Sequence, residues 1–302
     1  MGALIEVNTD GLAKLGEILC NATGLAAFGM KKNTNAKVYD MIEIAKAENQ
    51  VGVMKLEGKD AIDKYIAAKE QQKVSNILQV SEKAAKEFSE EELVTSESVN
   101  TDWTTRFFNI VEDISDSEMQ LLWAKILAGE IKQPKSFSLR TLEVLKNISK
   151  EEAEIFLQNA GYTISSTYLY SDNGGANLSD ALMLSEIGLI NLESLYLNLE
   201  FSKDKVSNFD IGNSFFQIQG DNSNLKRIDL SVYSYTTIGL QLLKISTFEP
   251  NYGIISPIIE ICKQKGAVRV TEHKIQYREE KSINYFTQPQ KVYELKNDPG
   301  IG

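Results

Sequence analysis

Residues 102–156 read DWTTRFFNIVEDISDSEMQLLWAKILAGEIKQPKSFSLRTLEVLKNISKEEAEIF, and their periodicity decides how the chain folds. Met119, Leu122, Trp123, Ile126 and Leu127 recur at i, i+3, i+4, i+7 and i+8, the spacing of one stripe of an α-helix. Ser115 followed by Glu118 reads as a capping box that opens this helix, and Gly129 with Pro134 reads as its end. Ser138 is the expected cap of a second helix, which carries Leu139, Leu142, Leu145 and Ile148. Ser149 with Glu152 is a further capping box, opening a third helix with Ala153, Phe156, Leu157 and Ala160 on one face. Upstream, Trp103, Phe107, Ile110, Val111 and Ile114 form a fourth stripe. Four short capped helices with brief connections predict a helical bundle over 101–161, with Leu122, Trp123, Leu142 and Phe156 meeting in one interior.

N-terminal to the bundle, residues 11–30 place Leu12, Leu15, Ile18, Leu19, Ala22 and Leu25 at helical spacing, interleaved with glycines. This segment reads as a core or contact helix, with a membrane-active amphipathic helix as the alternative. Residues 34–88 contain no proline and carry narrow apolar seams, including Tyr65 and Ile66. They predict one or two long helices, broken near Gly52 or Gly58, of the kind that need a partner to cover the seam. The acidic run 89–100 reads as a linker, which makes 1–100 one segment.

C-terminal to the bundle, residues 162–302 read as an α+β segment. An Asp172-Asn173-Gly174-Gly175 turn follows β-prone residues, a short helix ends at Gly188, and strands follow at 195–201 and 214–220. A strand and a helix fill 224–246, a helix broken by Pro257 follows, and late strands end the sequence. The order of Gly188-Leu189-Ile190, strands, and Thr236-x-x-Gly239 opening a helix is that of a winged helix, although the gap between the two halves is long for a wing. The whole protein is therefore expected to be α+β.

The balance of the 302 residues narrows the function. A hydrophobic content of 42%, a charged content of 25% and a net charge of −10 describe a soluble globular protein with no overall attraction to nucleic acid or anionic lipid. No apolar run is long enough to span a bilayer, and the first ten residues lack the pattern of a secretory signal, so a cytoplasmic protein is expected. Cys20 and Cys262 lack metal-ligand spacing and read as reduced, buried residues.

Signatures for nucleotide cradling, zinc hydrolysis and serine or cysteine catalysis are absent, so no cofactor, metal or catalytic residue is implied. The one histidine, His273, lies between Glu272 and Lys274 and is expected on the solvent face of a strand. Glu272-x-Lys274 also has the form of half a Mg²⁺ nuclease motif, for which Asp229 would have to supply the other half from a neighbouring strand. Residues 263–291 hold seven Lys or Arg against three Glu, and Arg269, Lys274 and Arg278 are the candidate nucleic-acid contacts there. Edge-strand cations that deter pairing are the plainer explanation. Glu130 and Arg140 read as a pin between successive helices, not as chemistry.

The strings D-W-x-x-R-F-F, S-D-x-E-M-Q-x-L-W-A-K-I-L-A-G-E, P-x-S-F-S-L-R-T-L and S-K-E-E-A-x-x-F resemble the signature of a bacterial family catalogued as domain of unknown function 2806. Trp103, Trp123, Glu130, Arg140 and Thr141 lie within it as structural signature residues. More distantly, the order L-W-A-K-I-L-A, S-x-x-x-L-x-x-L, A-x-x-F, G-L-I, T-x-x-G resembles that of alpha-type abortive-infection proteins of phage defence. The second resemblance implies a defence-associated setting. With the catalytic signatures absent and the narrow 34–88 seam in need of cover, a non-enzymatic, self-associating binding or sensing protein is expected, and a protein partner in a defence system with it. Nucleic-acid binding is the alternative, and a membrane partner is not expected.

Overall fold

The stripes of the 102–156 stretch are helices in the computed structural model, which describes residues 9–23, 43, 46–47, 61–89, 94–278 and 282–295. The mixture of helix with one antiparallel sheet is α+β. Contacts divide the protein into two units, Met1–Asn147 and Ile148–Gly302. The expected break near Gly52 or Gly58, and most of the long 34–60 segment, lie outside the described residues.

The first unit holds α1 (Thr9–Thr23), α2 (Ala61–Ala85), α3 (Thr101–Val111), α4 (Ser117–Lys132) and α5 (Leu139–Lys146). Its interior is built on aromatic rings at helical spacing. Trp103 stacks on Phe107 at 5.1 Å, and Phe107 meets Trp123 edge-on at 5.6 Å. Leu78, Val80, Ile126, Leu127 and Leu142 complete this interior, and α1 adds Leu12, Leu15 and Leu19. The glycines here make room for rings. A Cβ at Gly11 would stand 2.4 Å from the Phe88 ring, and one at Gly129 would stand 2.9 Å from the Phe137 ring. Gly129 therefore does not end α4, as expected from sequence. The helix continues to Lys132, and the glycine admits Phe137 against its side. The start of α4 also differs from the reading of Ser115 as its cap. Asp116 caps it, its carboxylate accepting from the N–H of Glu118 and Met119, because a carboxylate one residue on reaches the same orphan donors. Ser138 caps α5 as expected.

The second unit opens with α6 (Lys150–Ala160), whose capping box closes in both directions: Ser149 Oγ accepts from Glu152 N–H, and Glu152 accepts from Ser149 N–H. Phe156 belongs to this unit and lies edge-on to Tyr235 at 6.3 Å. After α6 come β1 (Thr163–Ile164), β2 (Tyr168–Tyr170), α7 (Leu178–Glu186), β3 (Ile190–Phe201), β4 (Ser207–Ile211), β5 (Ser214–Gly220) and β6 (Lys226–Tyr235). α8 (Thr237–Ile245), α9 (Ile255–Gln264), β7 (Ala267–Arg278), β8 (Ile283–Tyr285) and β9 (Lys291–Glu294) complete it. Pro257 falls in the first turn of α9, where a missing N–H costs nothing, so it starts this helix and does not break it.

The strands form one sheet in the order β3-β6-β2-β1-β4-β5-β7-β8, with β9 also on β7. The sheet curls until Gly220 N–H, at the end of β5, donates to Ser202 O beyond the end of β3 at 3.2 Å. Phe209 and Phe216 stack at 4.7 Å inside the curl, and α9 packs Ile255, Ile258 and Cys262 into the same core. β3 begins at Ile190 and pairs with β6 along its length, the β4–β5 hairpin being inserted between them. That insertion explains the long gap between the Gly188-Leu189-Ile190 and Thr236-x-x-Gly239 elements.

Candidate functional site

β7 carries most of the residues that the sequence singles out for chemistry, and β5 holds it on one side while β8 and β9 hold it on the other. Most of these residues sit in a bonded setting. Ser214 Oγ donates to Glu272 Oε1 at 2.7 Å, and Tyr293 Oη donates to Glu272 Oε2 at 3.2 Å. Lys274 is exposed. Asp229 lies on β6, paired with Arg227, and β2, β1, β4 and β5 stand between β6 and β7 in the sheet order. Asp229 is thus not the neighbouring-strand carboxylate that the nuclease motif needs. Among the described residues no group of three or more His, Cys, Asp or Glu is arranged to hold a metal ion.

His273 is not on the solvent face as expected; it is buried, with 4% of its surface exposed. Its Nδ1 donates to Phe286 O at 2.9 Å, since a carbonyl can only accept, and Nε2 faces Thr271 Oγ1 at 2.9 Å. Tyr285 lies edge-on to the imidazole at 5.1 Å and stacks on Phe215 at 4.4 Å. The charged neighbours mislead because successive strand residues point to opposite faces. Glu272 and Lys274 say nothing about the side on which His273 is covered.

Arg278 has the most developed polar setting. Its guanidinium donates to Asp210 Oδ2 at 2.8 Å, to Ser166 Oγ at 2.7 Å and to Gly212 O at 2.6 Å. Ser166 Oγ in turn donates to Asp210 Oδ2 at 3.0 Å. Ser165 and Ser166 have φ of 50° and 56°, the left-handed pair that turns β1 into β2. Gly212, at φ 54°, passes where a Cβ would stand 2.3 Å from the Pro250 ring. One cation therefore fastens two hairpin tips to the end of β7. Arg269 is paired with Glu294 at 3.0 Å. The three predicted nucleic-acid contacts are not convergent: two close ion pairs within the fold and one faces solvent.

Sequence reading missed Ser166, Asp210, Ser214 and Tyr293. Asp210 sits between the core residues Phe209 and Ile211, and its partner Arg278 comes from β7, so only the alternation of that short strand could have marked it.

In the first unit the signature residues support the fold itself. Glu130 is 2% exposed, and its carboxylate accepts from Lys135 N–H at 2.6 Å and Phe137 N–H at 2.9 Å. Burial raises its carboxyl above the usual range in spite of those two donors. The Glu130 carboxylate thus pins the turn that follows α4, while Arg140 is exposed. Trp103 Nε1 donates to Phe137 O at 2.8 Å in the same turn. Thr141 is buried, with its N–H donating to Ser138 Oγ at 3.1 Å. Trp123 is fully buried among apolar side chains, and Leu142 lies in the same interior. The apolar face of α1 is also interior, with Leu12, Leu15 and Leu19 each 0% exposed, and no described helix is long and apolar enough to cross a membrane.

No curated protein and no solved structure matches the sequence significantly. One family model, described as "Protein of unknown function (DUF2806)", matches residues 62–168, from the start of α2 to the start of β2, and over that span the protein is similar to this family.

Proposed function

We propose that the protein is a cytoplasmic, non-enzymatic binding or sensing protein of bacterial phage defence that self-associates through the segment containing α2. The observation that carries this reading is the split character of α2. Its C-terminal half buries Ile77, Leu78, Val80, Ala84 and Ala85 in the first unit. Its N-terminal half exposes Tyr65 by 69% and Ile66 by 53%. Large apolar side chains left exposed on a helix are what a second copy would cover. Light scattering of the full-length protein tests this. Wild type is expected to elute as an oligomer, and Tyr65→Asp with Ile66→Asp as a monomer with unchanged thermal unfolding. A wild type that is monomeric at every concentration tried would remove the proposal.

The alternative, a nucleic-acid-binding winged helix using Arg269, Lys274 and Arg278, draws support from the meeting of the Gly188-Leu189-Ile190 and Thr236-x-x-Gly239 elements. Against it, α7 occupies the position of a reading helix and contains Asp180 and Glu186 but no Lys or Arg. A gel shift at low salt, where phosphate contacts are strongest, separates the two readings.

A further inference from the structure

Asn173–Gly174 is the one Asn-Gly pair in the sequence, and both residues are exposed. Gly175 N–H donates to Asp172 O at 2.7 Å and Gly174 has φ of 84°, which together make a type II turn with Asn173 at its first central position. The surroundings are open: a Cβ at Gly174 would meet only the Pro257 ring, at 3.9 Å. A glycine nitrogen with no side chain beside it can approach the preceding carboxamide as no other residue's can.

We propose that Asn173 is a site of spontaneous covalent modification, deamidating through a succinimide to a mixture of aspartate and isoaspartate. The backbone nitrogen of Gly174, having lost its proton to solvent base, attacks Cγ of Asn173. A bond forms between that nitrogen and Cγ, the bond from Cγ to Nδ2 breaks, and Nδ2 takes a proton from solvent and leaves as ammonia. Water then opens the five-membered ring at either carbonyl. Opening at one carbonyl gives aspartate; opening at the other routes the backbone through the former Asn173 Cβ and lengthens it by one methylene.

The position makes this consequential. Asp172 Oδ2 accepts from Ser231 N–H at 3.2 Å, Ala176 N–H donates to Tyr170 O at 2.9 Å, and Asn177 caps α7 by accepting from Asp180 N–H at 2.9 Å. An added methylene between Asp172 and Gly174 throws these three anchors out of register. Modification therefore loosens the entry to α7, independently of any partner.

The test incubates the full-length folded protein at mildly alkaline pH, digests it, and maps the peptides by mass spectrometry. The peptide containing Asn173 is expected to gain one mass unit and to split into two isomers, one of them methylated by an isoaspartyl methyltransferase. Asn173→Gln should show no gain, because its ring would need six members. Aged wild type should melt lower than fresh protein, while Asn173→Asp, which has the charge without the extra methylene, should melt with fresh protein. The proposal is overturned if the folded protein keeps its Asn173 amide under conditions in which the same protein in denaturant loses it.

Discussion

The hydroxyl of Thr236 donates to the carbonyl oxygen of Gly188 at 2.7 Å, across 48 positions of sequence. The same hydroxyl oxygen accepts from Gly239 N–H at 3.1 Å and so caps α8. Thr236 N–H donates to Leu189 O at 3.0 Å. The close approach has a steric condition: a Cβ at Gly239 would stand 2.1 Å from Leu189 O. One threonine thus joins the end of α7 to the start of α8 through Gly188 and Leu189, the two residues that precede β3.

Thr236→Val keeps the shape and removes the hydroxyl. Loss of a cap and of a partly buried hydrogen bond is expected to destabilise the second unit by about 1–3 kcal/mol in urea unfolding. Gly239→Ala should cost at least as much, since the atom it would strike is backbone and cannot swing aside. An unchanged midpoint for both variants would show that this junction does not support the fold.

Glu130 links stability to pH with a definite sign. Glu130→Ala leaves the N–H groups of Lys135 and Phe137 without their acceptor, at about 1–3 kcal/mol for each donor that stays buried. Because burial raises the folded carboxyl above its ordinary value of 4.5, the stabilising effect of its protonation is complete below that value. It is lost as pH rises through the folded value. Glu130→Gln does not titrate, so the advantage of wild type over this variant in thermal unfolding should be largest in acid and shrink toward neutral pH. A difference that grows with pH would contradict the assignment.

The Arg278–Asp210 pair has one buried member, with the Asp210 side chain 7% exposed and that of Arg278 35% exposed. Arg278→Met should strand the Asp210 charge and destabilise the second unit by about 3 kcal/mol, while the double change with Asp210→Asn should recover a good part of that loss. A thermodynamic cycle on the four proteins measures the coupling. Strict additivity would mean that the two residues do not act as a pair.

Cys262 lies on the buried face of α9, and burial pushes its thiol up to about 12. At neutral pH it should resist a soluble thiol reagent until the second unit unfolds, with peptide mapping used to distinguish it from Cys20. Rapid labelling of Cys262 in the native protein would show that the core around it opens.

How much of this is legible in the sequence follows the range of the interactions. Ser138 over Thr141 and Ser149 with Glu152 are contacts three residues apart, and both caps stand where the spacing puts them. Ser115 reads as a cap that Asp116 provides, because two adjacent oxygen-bearing side chains compete for the same donors and composition does not rank them. Gly129 reads as a stop because a glycine near a helix end commonly is one, and Phe137, eight residues on, needs the space instead. The candidate site is far less legible. Arg269, Lys274 and Arg278 look alike as letters, and only Glu294 and Asp210, brought in from other strands, separate the ion-paired arginines from the exposed lysine.

The sequence by itself determined the stripes of the central helices, the caps at Ser138 and Ser149 and the α+β class, since each follows from periodicity or from neighbours within a turn. Tertiary structure alone decided that His273 is covered, that Phe156 meets Tyr235, and that Asp210 neutralises Arg278. The reason is that strand partners and ring contacts are chosen by which faces meet after the sheet curls, and residues distant in sequence carry no local signal of that choice.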